Sequence, residues 1–292
     1  MGPQVDEPAS GATARLLLSA PDRPGLVAAV ADFVYRNGGN VTGADQHTDE
    51  EEGMFFQRVE FRMDGFRLSR PELQDALIEI ARPLGMNWVV RYSDERRRVA
   101  VLVSRQPHCL VDLLGRWYAD ELPGEPVLVA SNHPDHAELV SRFGLPFHHL
   151  PVNAGTRQAQ EGRLLELLSE AGVELVVLAR YMQILSPAVV DAFPSRVINI
   201  HHSFLPAFSG GQPYHQAHAR GVKLIGATAH YATAELDQGP IIEQDTARVS
   251  HRDGAADLAR TGRDLETVVL ARAVRLHLTD RVLVHGRKTV VF

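Results

Sequence analysis

Val99-Ala100-Val101-Leu102-Val103, closed by Ser104, is an unbroken apolar run without the polar alternation of a half-exposed strand. A strand apolar on both faces belongs in a sheet covered on both sides. Runs of the same kind recur at residues 127–130, 147–150, 175–179 and 197–200, with helical stretches between them at 111–118, 136–143 and 161–171. This alternation predicts a doubly wound, Rossmann-like α/β domain on a parallel sheet. Such sheets bind ligands beyond the carboxyl ends of their strands, so the loops there carry the functional expectation.

Upstream the rhythm changes. Residues 15–19 read as a strand, and Pro21-Asp22-Arg23-Pro24-Gly25 as the turn that ends it. Leu26, Val30, Phe33 and Val34 mark one face of a helix closed by Gly38-Gly39. Strands follow at 41–47 and 54–63, parted by an acidic turn. A second helix starts at Ser69, which forms a capping box with Glu72, and carries Leu73, Leu77, Ile80 and Leu84 as its stripe. Residues 87–92 supply a fourth strand. The order βαββαβ predicts a ferredoxin-like α+β domain with both helices on one sheet face. We therefore expect a flexible tail at 1–13, this small domain at 14–93, a polar linker at 94–98 and the larger domain at 99–292.

The bulk properties exclude several classes. The chain has 292 residues, 45% hydrophobic and 23% charged, which suits two globular domains rather than disorder. No stretch approaches the roughly 18 apolar residues of a membrane span. A net charge of −6 without a large basic block argues against nucleic acid as a partner. The sole cysteine, Cys109, forbids an internal disulfide and fits a reducing, cytoplasmic setting. As a lone cysteine it reads as a small buried hydrophobe.

One segment concentrates chemistry. Between Asn199 and Asp237 stand His201, His202, His215, His218 and His230, five of the 14 histidines. Asn199 and His201 lie two apart at the end of a strand and share a face, which leaves His202 on the opposite side. An amide donor and an imidazole converging on one pocket suit acyl transfer. Asp237, in Glu235-Leu236-Asp237-Gln238-Gly239-Pro240, is the carboxylate that would orient the imidazole, or else only cap a turn. The pairs His215/His218 and His133/His136 lack a cysteine or second carboxylate at ligand spacing, so no metal is expected.

These motifs resemble two known families. Asp22-Arg23-Pro24-Gly25 and Gly38-Gly39-Asn40 resemble an ACT domain, which implies edge-to-edge pairing into a homo-oligomer. It also implies a small amino-acid effector near Asp22, Arg23, Pro24, Gly25, Gly39 and Asn40. Asn199-x-His201, Ser203-Phe204-Leu205-Pro206 and Leu236-Asp237-x-Gly239-Pro240 resemble the formyltransferases that use 10-formyltetrahydrofolate. The resemblance implies catalytic roles for Asn199, His201 and Asp237. It implies a folate-binding segment at Met182, Gln183, Ile184 and Leu185, with Gly239 also at the substrate. Met182, Ile184 and Leu185 suit an ordinary core equally well.

The acceptor follows from a departure. Where glycinamide ribonucleotide formyltransferases have a glycine-rich phosphate loop, this chain reads Ser104-Arg105-Gln106-Pro107-His108, with no glycine and a donor-less proline. Water then takes the formyl group, and the fused pair of domains resembles the formyltetrahydrofolate deformylase family. The implied reaction yields formate and tetrahydrofolate, balancing one-carbon pools and supplying formate for purine synthesis. It needs no cofactor, because the folate is the substrate. Either His201 or Asp237 accepts the proton of water. The competing readings are formyl transfer to an amine such as glycinamide ribonucleotide, and a non-catalytic amino-acid-sensing regulator.

Overall fold

The computed structural model describes residues 11–153, 155–206 and 213–292. Most of the expected tail, residues 1–10, lies outside them. The rest of it is already in the fold: Ala12 is buried, and the first strand begins at Thr13. Two compact units divide between Arg96 and Arg97. The sequence reading ran the larger domain to the C-terminus, whereas Asp280–Leu283 and Val290–Phe292 group with the first unit.

The first unit contains β1 (Thr13–Pro21), α1 (Leu26–Arg36), β2 (Asn40–Asp49), β3 (Met54–Arg62), α2 (Arg70–Ala81) and β4 (Asn87–Tyr92). Its sheet has the order β2-β3-β1-β4 and every pairing in it is antiparallel. Ala14, Leu16, Leu18 and Ala20 alternate along β1 and pack with Leu26, Val30, Phe33 and Val34 of α1 and Leu73 and Leu77 of α2 in one core. That is the βαββαβ expectation, helices on one face included. Ser69 and Glu72 make the capping box. Asp280 joins this unit through charge: its carboxylate accepts from Arg15 at 3.2 Å and its carbonyl from the buried Arg58 at 2.9 Å.

Gly39 has a packing reason of its own. A Cβ there would stand 2.6 Å from Val34 Cγ1 and 3.0 Å from the Phe66 ring. Gly39→Ala should therefore destabilise the fold by about 1–3 kcal/mol, the usual cost of overpacking. A lowered urea midpoint at unchanged slope would show it. The mutant unfolding at the wild-type midpoint would refute the packing account.

The second unit begins with β5 (Arg98–Val103), α3 (His108–Tyr118), β6 (Glu125–Ser131), α4 (Ala137–Arg142) and β7 (Phe147–His149). It continues through α5 (Arg157–Glu170), β8 (Leu175–Leu178), α6 (Pro187–Ala192), β9 (Val197–His201), α7 (Pro213–Arg220), β10 (Leu224–Tyr231), β11 (Ile241–Arg248) and α8 (Ala255–Leu278). A hairpin of β12 (Val282–His285) and β13 (Lys288–Val291) ends the chain. The sheet runs β11-β10-β9-β8-β5-β6-β7. Strands β5 to β9 pair in parallel, and β10 runs against both β9 and β11.

The sheet is thus mostly parallel, with an antiparallel margin the sequence reading did not contain. The chain winds outward from β5 to β7 and then resumes on the other side at β8. The crevice expected of a doubly wound sheet therefore opens at the carboxyl ends of β5 and β8.

Candidate active site

That crevice is a cavity of about 480 Å³ in the second unit. Residues 180–185, which follow β8, form one wall. The end of β9 supplies Asn199 and His201, and the turn after β10 supplies Asp237. Asn199, His201 and Asp237, 38 residues apart at the extremes, meet here. His201 Nδ1 stands 3.3 Å from Asp237 Oδ1. His201 is 5% exposed, and its Nε2 is buried without a hydrogen-bond partner.

Antiparallel pairing adds a fourth member, because β10 sets His230 opposite Asn199. His230 Nδ1 donates to the Tyr231 carbonyl at 2.9 Å, which leaves Nε2 to accept from Asn199 Nδ2 at 3.1 Å. One amide hydrogen of Asn199 is thereby tied and the side chain oriented. His230 stood in the sequence only as one histidine among five, and the β9–β10 register was the missing signal. Asp237 adopts φ +56°, a left-handed conformation that is costly outside glycine and typical of functional sites. The hydrogen bond from His201 holds its carboxyl below the usual range, against the opposing effect of burial.

The segment expected to bind folate is anchored by its backbone. Met182 N–H donates to Ser104 Oγ, Ser186 N–H donates to Glu161, and the Ile184 carbonyl accepts from Arg157. Leu185 is buried in the core, as the simpler reading allowed. Met182 and Ile184 are not core: they are 58% and 56% exposed and line the cavity together with the exposed Leu236. Exposed apolar side chains around a concave site suit a planar aromatic ligand.

Three expectations need correction. His202 does not face away from His201. Strand β9 stops at His201, so alternation no longer applies, and His202 lines the same cavity with its ring 5.1 Å from that of His201. Gly239 is buried and is absent from the cavity lining. It is glycine because a Cβ would lie 1.7 Å from the Tyr231 carbonyl oxygen. Asp22–Gly25 and Gly38–Asn40, grouped as one effector site, lie at opposite ends of α1, about 16 Å apart for an 11-residue helix. A single chain does not join them.

Among the described residues one set of three groups has metal-ligand spacing: His108, Cys109 and Glu266. An ion pair already accounts for it, since Glu266 accepts from His108 at 2.8 Å and from Tyr214 at 2.6 Å. Cys109 is fully buried, which pushes its thiol up and keeps it protonated. His136 Nε2–H donates to the Ser104 carbonyl at 2.9 Å, and His215 and His218 are exposed.

His202 sets a pH dependence. Burial first, then the charges of Arg180 and His201, lower its pKa from 6.5 to about 4. The folded state binds this proton less well than the unfolded one. Stability is therefore full above pH 6.5 and falls as pH drops towards 4, on the order of 3 kcal/mol in all. His202→Gln should flatten unfolding free energy against pH across that window. An unchanged slope would remove His202 as its source.

Comparison with known proteins now adds to this geometry. The Formyl transferase family model matches residues 97–274 and the ACT domain model residues 14–82. A formyltetrahydrofolate deformylase from Synechocystis sp. is 57% identical over 280 residues, spanning 96% of this chain and 98% of that one. The chain belongs to the formyltetrahydrofolate deformylase family. A solved deformylase from Pseudomonas syringae pv. tomato superposes with a TM-score of 0.95 at 48% identity, covering 97% of this chain and 95% of that one. Glycinamide ribonucleotide transformylase 1 from Symbiobacterium toebii reaches 0.66 at 34% identity and covers 69% of this chain and 96% of its own. The deformylase likeness thus extends over both units, whereas the transformylase leaves about a third of this chain unmatched. Among the described residues, no helix is long and apolar enough to cross a membrane.

Proposed function

We propose that this chain hydrolyses 10-formyltetrahydrofolate to formate and tetrahydrofolate, and that Asn199, His201 and Asp237 carry the reaction. The observation behind this reading is the buried, unpartnered Nε2 of His201 on a cavity walled by exposed Met182, Ile184 and Leu236. The second amide hydrogen of Asn199 is available to the formyl oxygen, where charge develops during attack. With Nδ1–H directed at Asp237, His201 Nε2 carries the lone pair that accepts a proton from water. Asp237, bonded to Nδ1, orients the ring and stabilises the imidazolium. Water oxygen bonds the formyl carbon, the bond to N10 breaks, and His201 returns the proton to N10. The second proton of water leaves as formic acid ionises.

The pteridine would lie against Met182, Ile184 and Leu236. No cofactor enters, since the folate is itself the substrate. The released formate would supply purine synthesis and balance one-carbon pools in the cytoplasm. The first unit would bind a small amino-acid effector in a homo-oligomer. Its ten-residue edge strand β2, largely exposed, is open to pairing with a second copy. Such pairing would also let the Asp22–Gly25 loop of one protomer approach Gly39 and Asn40 of another.

The test is to give purified protein 10-formyltetrahydrofolate alone, and then with glycinamide ribonucleotide. Equal formate and tetrahydrofolate without any acceptor supports hydrolysis. Turnover only with the amine present would establish transfer instead.

A further inference from the structure

The cavity holds a second buried charge cluster that the mechanism does not use. Glu266 of α8 is 1% exposed and is held from three directions. Tyr214 donates to Oε1 at 2.6 Å, His108 Nε2 lies 2.8 Å from Oε2, and Arg180 Nε lies 3.3 Å from Oε2. The Arg180 contact is close without being aligned: its Nε has no hydrogen-bond partner although the side chain is 7% exposed. Arg180 is thus neutralised by proximity and not locked in a two-pronged pair, which leaves guanidinium donors for a second anion.

Two further observations point into the cavity. Arg180 adopts φ +63°, a strained backbone conformation for a non-glycine residue, and it immediately precedes the Tyr181–Leu185 wall. Strain of that kind persists where the surroundings over-determine it, often at functional sites. The charge inventory is the second. Asp237 and Glu266 both line the cavity as carboxylates, and hydrolysis creates a third carboxylate, formate, in the same space. The cations on the lining are Arg180 and Arg263, of which Arg263 is exposed. Arg180 is the buried one, and its charge acts on His202 in the same lining.

On the hydrolytic reading above, we propose that Arg180 forms a subsite for the small carboxylate product, formate, and that Glu266 is the internal counter-ion with which formate competes there. A guanidinium matches a carboxylate in shape and charge, and formate is small enough to share the cavity with the folate product. Because Glu266 neutralises Arg180, the empty cavity carries no uncompensated buried cation, and formate entering it would meet a donor already in place. Arg180 would also keep the nascent anion from facing Asp237 and Glu266 unshielded.

The experiment is binding of ¹³C-formate by NMR line broadening to the full chain saturated with tetrahydrofolate, beside formate release from 10-formyltetrahydrofolate. Wild type should bind formate. Arg180→Gln should weaken formate binding about tenfold or more while tetrahydrofolate affinity stays within about twofold, and Arg180→Lys should recover part of the loss. Glu266→Gln removes the carboxylate that competes for Arg180 and should tighten formate binding severalfold with tetrahydrofolate affinity likewise unchanged, a split that a merely structural role would not give. Wild-type formate affinity in Arg180→Gln would overturn the proposal, as would parallel loss of both ligands or no formate binding by wild type. Formate binding through Arg180 without formate release would overturn the hydrolytic reading alone.

Discussion

Asp237→Asn is expected to lower kcat by a hundredfold or more, in the range of about 10²–10⁴ known for displaced oxyanion donors and triad carboxylates, with little change in folate binding. The carboxylate contacts His201 and not the apolar wall, so the substrate should still dock on Met182, Ile184 and Leu236. An amide at position 237 can turn its N–H towards His201 Nδ1 and move the ring proton to Nε2. The lone pair would then be lost from the face that meets water. His201→Asn should cost a comparable amount, and the double mutant little more than either single change, because the two residues act as one unit. Steady-state kinetics on 10-formyltetrahydrofolate would check both. Near-normal turnover by Asp237→Asn with folate binding intact would dismantle the proposed chemistry.

Gly239→Ala is the second large effect, and it separates architecture from chemistry. The added methyl would stand 1.7 Å from the Tyr231 carbonyl oxygen, a backbone atom that cannot swing away as a side chain can. Relief requires the turn to open, which breaks the 2.9 Å bond from Tyr231 N–H to the Pro240 carbonyl. Asp237, two residues earlier, moves with that turn. We expect a loss of about 2–4 kcal/mol of stability, measured without any ligand, and activity reduced at least as far as in Asp237→Asn. Were Gly239 a substrate contact only, the ligand-free protein would unfold like wild type and KM alone would rise.

The two mutations also show what could be read from the chain in advance. Near-continuous apolar strands such as Val99–Val103 announce a covered sheet, and the period of Leu26, Val30, Phe33 and Val34 announces a helix, because both patterns are local. Asn199 and His201 were legible for the same reason: two positions on one strand share a face. What failed was non-local or interrupted. Helix α8 escaped notice because its buried stripe contains Gly262 and Glu266, the first against Tyr214 and the second ion-paired, so it does not read as apolar. His230 needed the register of β10 against β9. His202 was misjudged because alternation was carried one residue past the end of its strand. Arg180 and Glu266 lie 86 residues apart and meet only after the sheet has formed.

Hydrolysis in H₂¹⁸O bears most directly on the central claim, that the Asn199, His201 and Asp237 cavity delivers water to a formyl carbon. Purified protein would convert 10-formyltetrahydrofolate in labelled water with no amine present, and the formate would be weighed by mass spectrometry. The account predicts one ¹⁸O atom per formate released and one tetrahydrofolate for each. Unlabelled formate, or no formate until an amine acceptor is added, would contradict it.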